Sequence, residues 1–187
     1  DIRKTGLDTG IVHIADVGHH IKKDDAIDRE ARKRASSIYM PDKKISMIPP
    51  GLAEDLCSLK EGEDRPAISI MARVRPNADI IDYEIFPSIV QIQHQRTYYD
   101  VNLVADEDRT IGLLYDIAKK LQQNRLDKGA VQISLPEISV WIEGDGSINV
   151  TKTNRTSPGR LLIAELMIMA NWIMARYLSD KGMPAIF

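Results

Sequence analysis

The amino-acid sequence predicts an α+β fold, a mixed and largely antiparallel sheet packed with helices, in a single domain over residues 1–187. Three patterns carry this. Ala67 to Val74 and Ile81 to Ile92 alternate apolar and polar residues, and Pro76-Asn77-Ala78-Asp79 supplies turn chemistry between them, the signature of a hairpin. From Glu107 to Asn124, the residues Ile111, Leu114, Tyr115, Ala118 and Leu121 recur at helical spacing. Ser157 as N-cap, Pro158 at the first helical position, an unbroken run from Leu161 to Tyr177 and Gly182 beyond it predict a buried helix.

The other elements follow in chain order. Ile11, Val12, Ile14, Ala15 and Val17 form a nearly continuous apolar run, interrupted by His13 and Asp16, which predicts a central strand over 10–17 buried on both faces. Asp24 or Asp25 caps a short exposed helix with Asp28 and Glu30 in its first turn and Arg32, Lys33 and Arg34 at its end, so its charges complement the macrodipole. Ser36 to Pro50 holds three prolines and no sustained period, hence an ordered loop presenting Tyr39, with a short helix possible over 51–57. Gly129 ends the helix of 107–124. Ala130 to Ile133 and Val140 to Ile142 then suggest strands, and Glu143-Gly144-Asp145-Gly146-Ser147 is a turn into a further strand, Ile148 to Thr151.

Composition bounds the functional classes. The 187 residues are 43% hydrophobic and 28% charged, which excludes disorder and collagen. No run of ~18 consecutive apolar residues marks a bilayer span, so no membrane partner is expected. The single cysteine, Cys57, excludes an internal disulfide framework and a multi-thiolate zinc site and suits a reducing, cytoplasmic setting. A net charge of -2 lacks the broad basic footprint of many nucleic-acid binders. There is no initiator Met, the first apolar segment begins almost at once, and the last helical pattern runs nearly to the end. The expectation is a domain truncated at both ends.

Few residues stand out chemically. Glu165 and Asn171 are the only polar side chains between Leu161 and Ala175, and a carboxylate among apolar neighbours needs partners to offset its desolvation. At ~100° per residue the two lie ~120° apart around the axis, so they share no face. Glu165 alone is the candidate, either for a site or for a structural arginine. His13, His19 and His20 cluster near Asp16 in a spacing that fits no standard metal motif, which favours satisfied core or rim histidines. Tyr39, Tyr98 and Tyr99 have the chemistry to stack on bases. Arg155-Thr156-Ser157-Pro158-Gly159-Arg160 has the letters of a phosphate-binding helix start, and an ordinary cap explains it equally well.

Taken in order, the segments Val12-His13-Ile14-Ala15-Asp16-Val17, Asp28-Arg29-Glu30-Ala31, Ser37-Ile38-Tyr39-Met40-Pro41-Asp42, Ile45-Ser46-Met47-Ile48-Pro49 and Leu56-Cys57-Ser58-Leu59 form a pattern. Gly62-Glu63-Asp64-Arg65 and, much later, Ala164-Glu165-Leu166-Met167-Ile168 with Ala170-Asn171 extend it. Together they resemble the catalytic RNB domain of the ribonuclease II and ribonuclease R family, most strongly in the first 70 residues and the last 30.

The resemblance implies an RNB-type fold and a processive 3′-to-5′ exoribonuclease. Such an enzyme uses divalent metal, usually Mg2+, to hydrolyse single-stranded RNA to nucleoside 5′-monophosphates, with no DNA partner expected. The family holds its metals with aspartates just upstream of the His-Ile-Ala-Asp-Val strand, a cluster not found here. Asp1 would fall at or just past its end and Asp8 in the turn before the strand, so neither is carried over as a ligand. Thr156 to Arg160 mimics the family's distant Thr-Ser-Pro-x-Arg motif in letters only. Three positions do carry over: Tyr39 as the base-contacting tyrosine of the Tyr-x-Pro loop, Tyr99 of Tyr99-Asp100 near the 3′-terminal nucleotides, and Glu165 as the catalytic glutamate facing the terminal nucleotide. Flanking barrels of the cold-shock and S1 type are expected in full-length members. The alternative is a noncatalytic RNB-fold scaffold that binds RNA or protein.

Overall fold

The computed structural model describes residues 8–104, 108–133, 135, 137–153 and 157–185. Its largest sheet has three antiparallel strands in the order β1 (Asp8–Ala15), β4 (Asp64–Val74), β5 (Ile80–Gln91). The α+β class of the sequence reading holds. Period-two alternation puts Ile70, Ala72 and Val74 on one face of β4, where they pack against Met169, Ala170 and Ile173 of the long helix α5 (Pro158–Asp180). Leu121 of α4 (Arg109–Asp127) and Tyr83 and Ile85 of β5 close the same cluster.

The strand over 10–17 begins earlier and is not central. β1 pairs only with β4 among the described residues, and His13 and Ile14 are exposed, so the apolar run is half-covered at most. Asp8, expected in a turn, is its first residue. Asp16 instead ends the strand and caps α1 (Val17–His20), accepting from His19 N at 3.2 Å. The predicted charged helix is α2 (Ala26–Arg34), and of the two candidate caps Asp25 is the one, accepting from Asp28 N at 2.7 Å.

The β4–β5 hairpin pairs from Asp64↔Gln91 to Arg73↔Asp82 and then slips, because Ile81 is the extra residue before Val74↔Ile80. Pro87 is tolerated because β5 is an edge strand of this sheet. Two-residue strands β2 (Ile38–Tyr39) and β3 (Lys44–Ile45) form a miniature hairpin inside the expected loop, and 52–56 is a π-helical turn (Leu52–Leu56). A further helix, α3 (Tyr98–Val104), lies on α5.

β6 (Glu137–Ile142) and β7 (Ile148–Thr153) form the expected last hairpin, with Ile138, Trp141 and Ile148 exposed. Residues 130–133 are not a strand. Helix α5 is long and apolar enough to cross a membrane by length and composition. In this fold one face of it is the lid of the core, with Leu162, Glu165, Met169, Ala170 and Ile173 buried.

Candidate functional site

Glu165 sits on the buried face of α5 and retains 3% of its exposure. Asp108 sets the start of α4 by accepting from Thr110 N at 2.9 Å and Ile111 N at 3.2 Å, and near the other end of that helix Arg125 meets the glutamate. The contact is a fork: Nε donates to Oε2 at 3.1 Å and Nη2 to Oε1 at 2.6 Å. The hydrogen bond to this carboxylate raises the Arg125 pKa further above its usual value. This is the structural-arginine arrangement anticipated for a lone carboxylate in an apolar helix. These two donors fill two of the carboxylate's roughly four acceptor positions.

Beside the pair opens a cavity of about 450 Å³, bounded by the β4–β5 turn, the end of α4 and α5. Arg75, Asp79, Asn124, Lys128 and Trp172 line it with the pair itself. The turn is held to α4 by Lys120 Nζ donating to Pro76 O at 2.7 Å and Asn124 Nδ2 donating to Asn77 O at 2.9 Å. Asn171 is exposed on another face of α5, as the helical arithmetic requires.

Tyr99 stands at the start of α3 and is 70% exposed. The helix starts there because Thr97 and Asp100 cap each other: Thr97 N and Oγ1 donate to Asp100 Oδ2 at 2.9 and 2.7 Å, and Asp100 N donates to Thr97 Oγ1 at 3.2 Å. The Thr97 hydroxyl bond, followed by its backbone N–H, holds the Asp100 carboxyl below the usual carboxylate range. Tyr98, the neighbouring ring, is covered by the Arg160 guanidinium at 4.8 Å. Gly159 N donates to Asn102 Oδ1 at 2.9 Å, so one N–H of the would-be phosphate loop is already occupied. Arg155 and Thr156 of that motif lie outside the described residues. Gly159 also admits α3: a Cβ there would meet Tyr98 O and Val101 Cβ at 3.3 Å.

Tyr39 is 74% exposed on the β2–β3 hairpin. Its cross-strand partner is Lys44, whose Nζ lies 5.3 Å from the ring centroid and 3.0 Å from Glu54 Oε1. The cavity at Glu165 is lined by neither Tyr39 nor Tyr99, so the structure does not gather the three predicted residues into that one pocket. Sequence reasoning missed Arg125, Lys44 and Glu54. For Lys44 a signal existed, since it lies just past Pro41-Asp42 in a turn that returns it to Tyr39. For Arg125, 40 residues from Glu165, there was none.

His13 Nδ1 lies 2.6 Å from Ser69 Oγ, across the β1–β4 pair, which makes it a satisfied rim histidine. Burial lowers its pKa. His19 and His20 pack edge to face at 5.0 Å. Among the described residues no three His, Cys, Asp or Glu side chains are placed to share a metal ion. The described residues therefore do not form a metal site by themselves.

The sequence pattern of the RNB domain matches residues 7–187, and the chain belongs to the RNB domain family. Ribonuclease R of Chlamydia trachomatis is 31% identical over 182 residues, covering 94% of this chain and 26% of that protein. The chain thus spans about a quarter of that relative's length. The fold is similar to that of Mycoplasma genitalium RNase R, solved in complex with double-stranded RNA, with a TM-score of 0.90 at 20% identity over 97% of this chain and 34% of that one. It is also similar to yeast Ssd1, a pseudonuclease, with a TM-score of 0.74 at 17% identity over 96% of this chain and 23% of that one.

Proposed function

We propose that this chain is the RNB portion of a metal-dependent, processive 3′-to-5′ exoribonuclease that hydrolyses single-stranded RNA to nucleoside 5′-monophosphates in the cytoplasm. The observation that carries the reading is the RNB match across 7–187, joined to 31% identity with a ribonuclease R over 94% of the chain. In the reaction, water adds its oxygen to the terminal phosphorus and the bond to the 3′ oxygen of the preceding nucleotide breaks. That oxygen takes a proton and the released nucleotide keeps its 5′-phosphate.

Tyr39 offers an exposed ring for a base, a contact worth about 1–3 kcal/mol. Tyr99 offers a second near the terminal nucleotides, on a helix start fixed by Thr97 and Asp100. Glu165, held in one orientation by Arg125, accepts a hydrogen bond from a terminal ribose hydroxyl on the cavity side. The Mg2+ expected for such chemistry needs carboxylate ligands, and the described residues do not supply the set.

A second reading, a noncatalytic RNB-fold scaffold, draws on the similarity to Ssd1. The two separate on one assay. The full-length protein, incubated with Mg2+ and end-labelled single-stranded RNA, should release mononucleotides progressively from the 3′ end. Retention of intact RNA without release favours the scaffold. The 187-residue chain alone should be inert, and mononucleotide release by it would place the metal ligands within these residues.

A further inference from the structure

We propose that Lys44 is an RNA phosphate contact of the Tyr39 loop, and that Glu54 holds it in reserve until RNA arrives. The inference rests on Tyr39 being a base contact. The two-residue pairing of β2 with β3 places Tyr39 directly opposite Lys44. Its ammonium reaches over the ring, 5.3 Å from the centroid, while Tyr39 remains 74% exposed. A base stacked on the ring's other face therefore brings its flanking phosphate toward a cation already lying against the ring. Lys43 precedes it in the same turn, and Met40 N donates to Lys43 O at 2.9 Å, so the turn is a closed, ordered unit.

What occupies Lys44 without RNA is equally specific. Glu54 Oε1 lies 3.0 Å from its Nζ, supplied by the π-helical turn Leu52–Leu56, a local geometry often found at functional sites. The side chains of Lys44 and Glu54 are 33% and 56% exposed, so water screens the pair and its net worth is small. A backbone phosphodiester carries the same single negative charge as Glu54, so it can take the carboxylate's place on the screened lysine at little net cost. Glu54 thus acts as an internal competitor, holding the lysine in place yet easily exchanged. The hydrogen bond to Glu54 raises the Lys44 pKa.

The test uses the full-length protein and a short single-stranded RNA, with affinity measured over a series of salt concentrations. Lys44→Met should weaken binding and lower the log–log salt slope by about 0.7, the loss of one phosphate contact on a single strand. Lys44→Arg should keep the slope. Glu54→Gln should tighten binding about two- to fivefold, since an exposed pair no longer competes. An unchanged slope in Lys44→Met, or no tightening in Glu54→Gln, overturns the proposal. Tyr39→Ala is measured beside them. If it has no effect on short RNA, the base-contact reading falls and this proposal with it; if it weakens binding while Lys44→Met keeps the parent slope, only the proposal falls.

Discussion

Replacing Glu165 by Gln tests whether this residue belongs to a site or to the scaffold. The substitution keeps one oxygen acceptor but turns an amide N–H₂ toward the Arg125 donors that now grip both carboxylate oxygens. Breaking a fully buried ion pair costs ~3–5 kcal/mol. Glu165 is 3% exposed but the Arg125 side chain is 38% exposed, so water recovers part of that loss and about 2 kcal/mol is the expected destabilisation. For a chain of this size that lowers the melting temperature by ~4–8 °C. Arg125→Met should cost more, because it strands the buried partner. If the carboxylate also accepts from the terminal ribose, turnover per folded molecule in the full-length protein falls by roughly 10–100-fold, the worth of a charge-assisted bond of ~1.5–3 kcal/mol. A melting temperature unmoved by Glu165→Gln refutes the helix clamp. A destabilised variant with normal turnover per folded molecule removes Glu165 from the site.

Three further outcomes are expected. In the full-length protein Tyr39→Ala should weaken retention of short RNA more than of long RNA, by up to about 1–3 kcal/mol of stacking, and equal losses at every length in a binding assay would remove the stacking role. Because the folded state holds His13 neutral to lower pH than the unfolded chain does, the unfolded chain binds the extra proton first. Stability should therefore decline as pH falls below 6.5 toward the lower folded value, and His13→Asn should flatten that part of the urea-denaturation profile. Gly159→Ala should destabilise by roughly 1 kcal/mol, because ~1–3 kcal/mol of overpacking against α3 outweighs alanine's helix gain of at most ~1, and a raised melting temperature would contradict the close approach.

The sequence was most legible where one pattern repeats over many residues. The β4–β5 hairpin, α4 and α5 each bury one continuous face, and their periods stand out without tertiary information. The failures share a different cause. The run Ile11 to Val17 has the letters of a two-sided strand, yet the sheet order puts β4 in the middle, and order is a long-range property. Val131 and Ile133 have strand propensity but are 86% and 73% exposed, with no partner strand among the described residues. Helix α3 was overlooked although Thr97 and Asp100 stand at capping-box spacing, because no sustained apolar period follows them. For the candidate site, the lone carboxylate of α5 announced that it needed a partner, and nothing local could say that the partner was Arg125. Tyr39 was legible from its loop and Lys44 from the turn after Pro41-Asp42, whereas Glu54 depends on a π turn too short to leave a pattern.

Helix α5 carries two separate attachments on one unbroken rod. Near its start Gly159 docks α3 and so sets where Tyr99 stands; six residues on, about 9 Å along the axis, Glu165 grips α4. Along one continuous helix the rise per residue fixes how far apart two positions stand. The spacing between those two points is therefore set by helix geometry rather than by loop conformation. The chain thus contains a fixed gauge between the Tyr99 end and the Glu165 cavity.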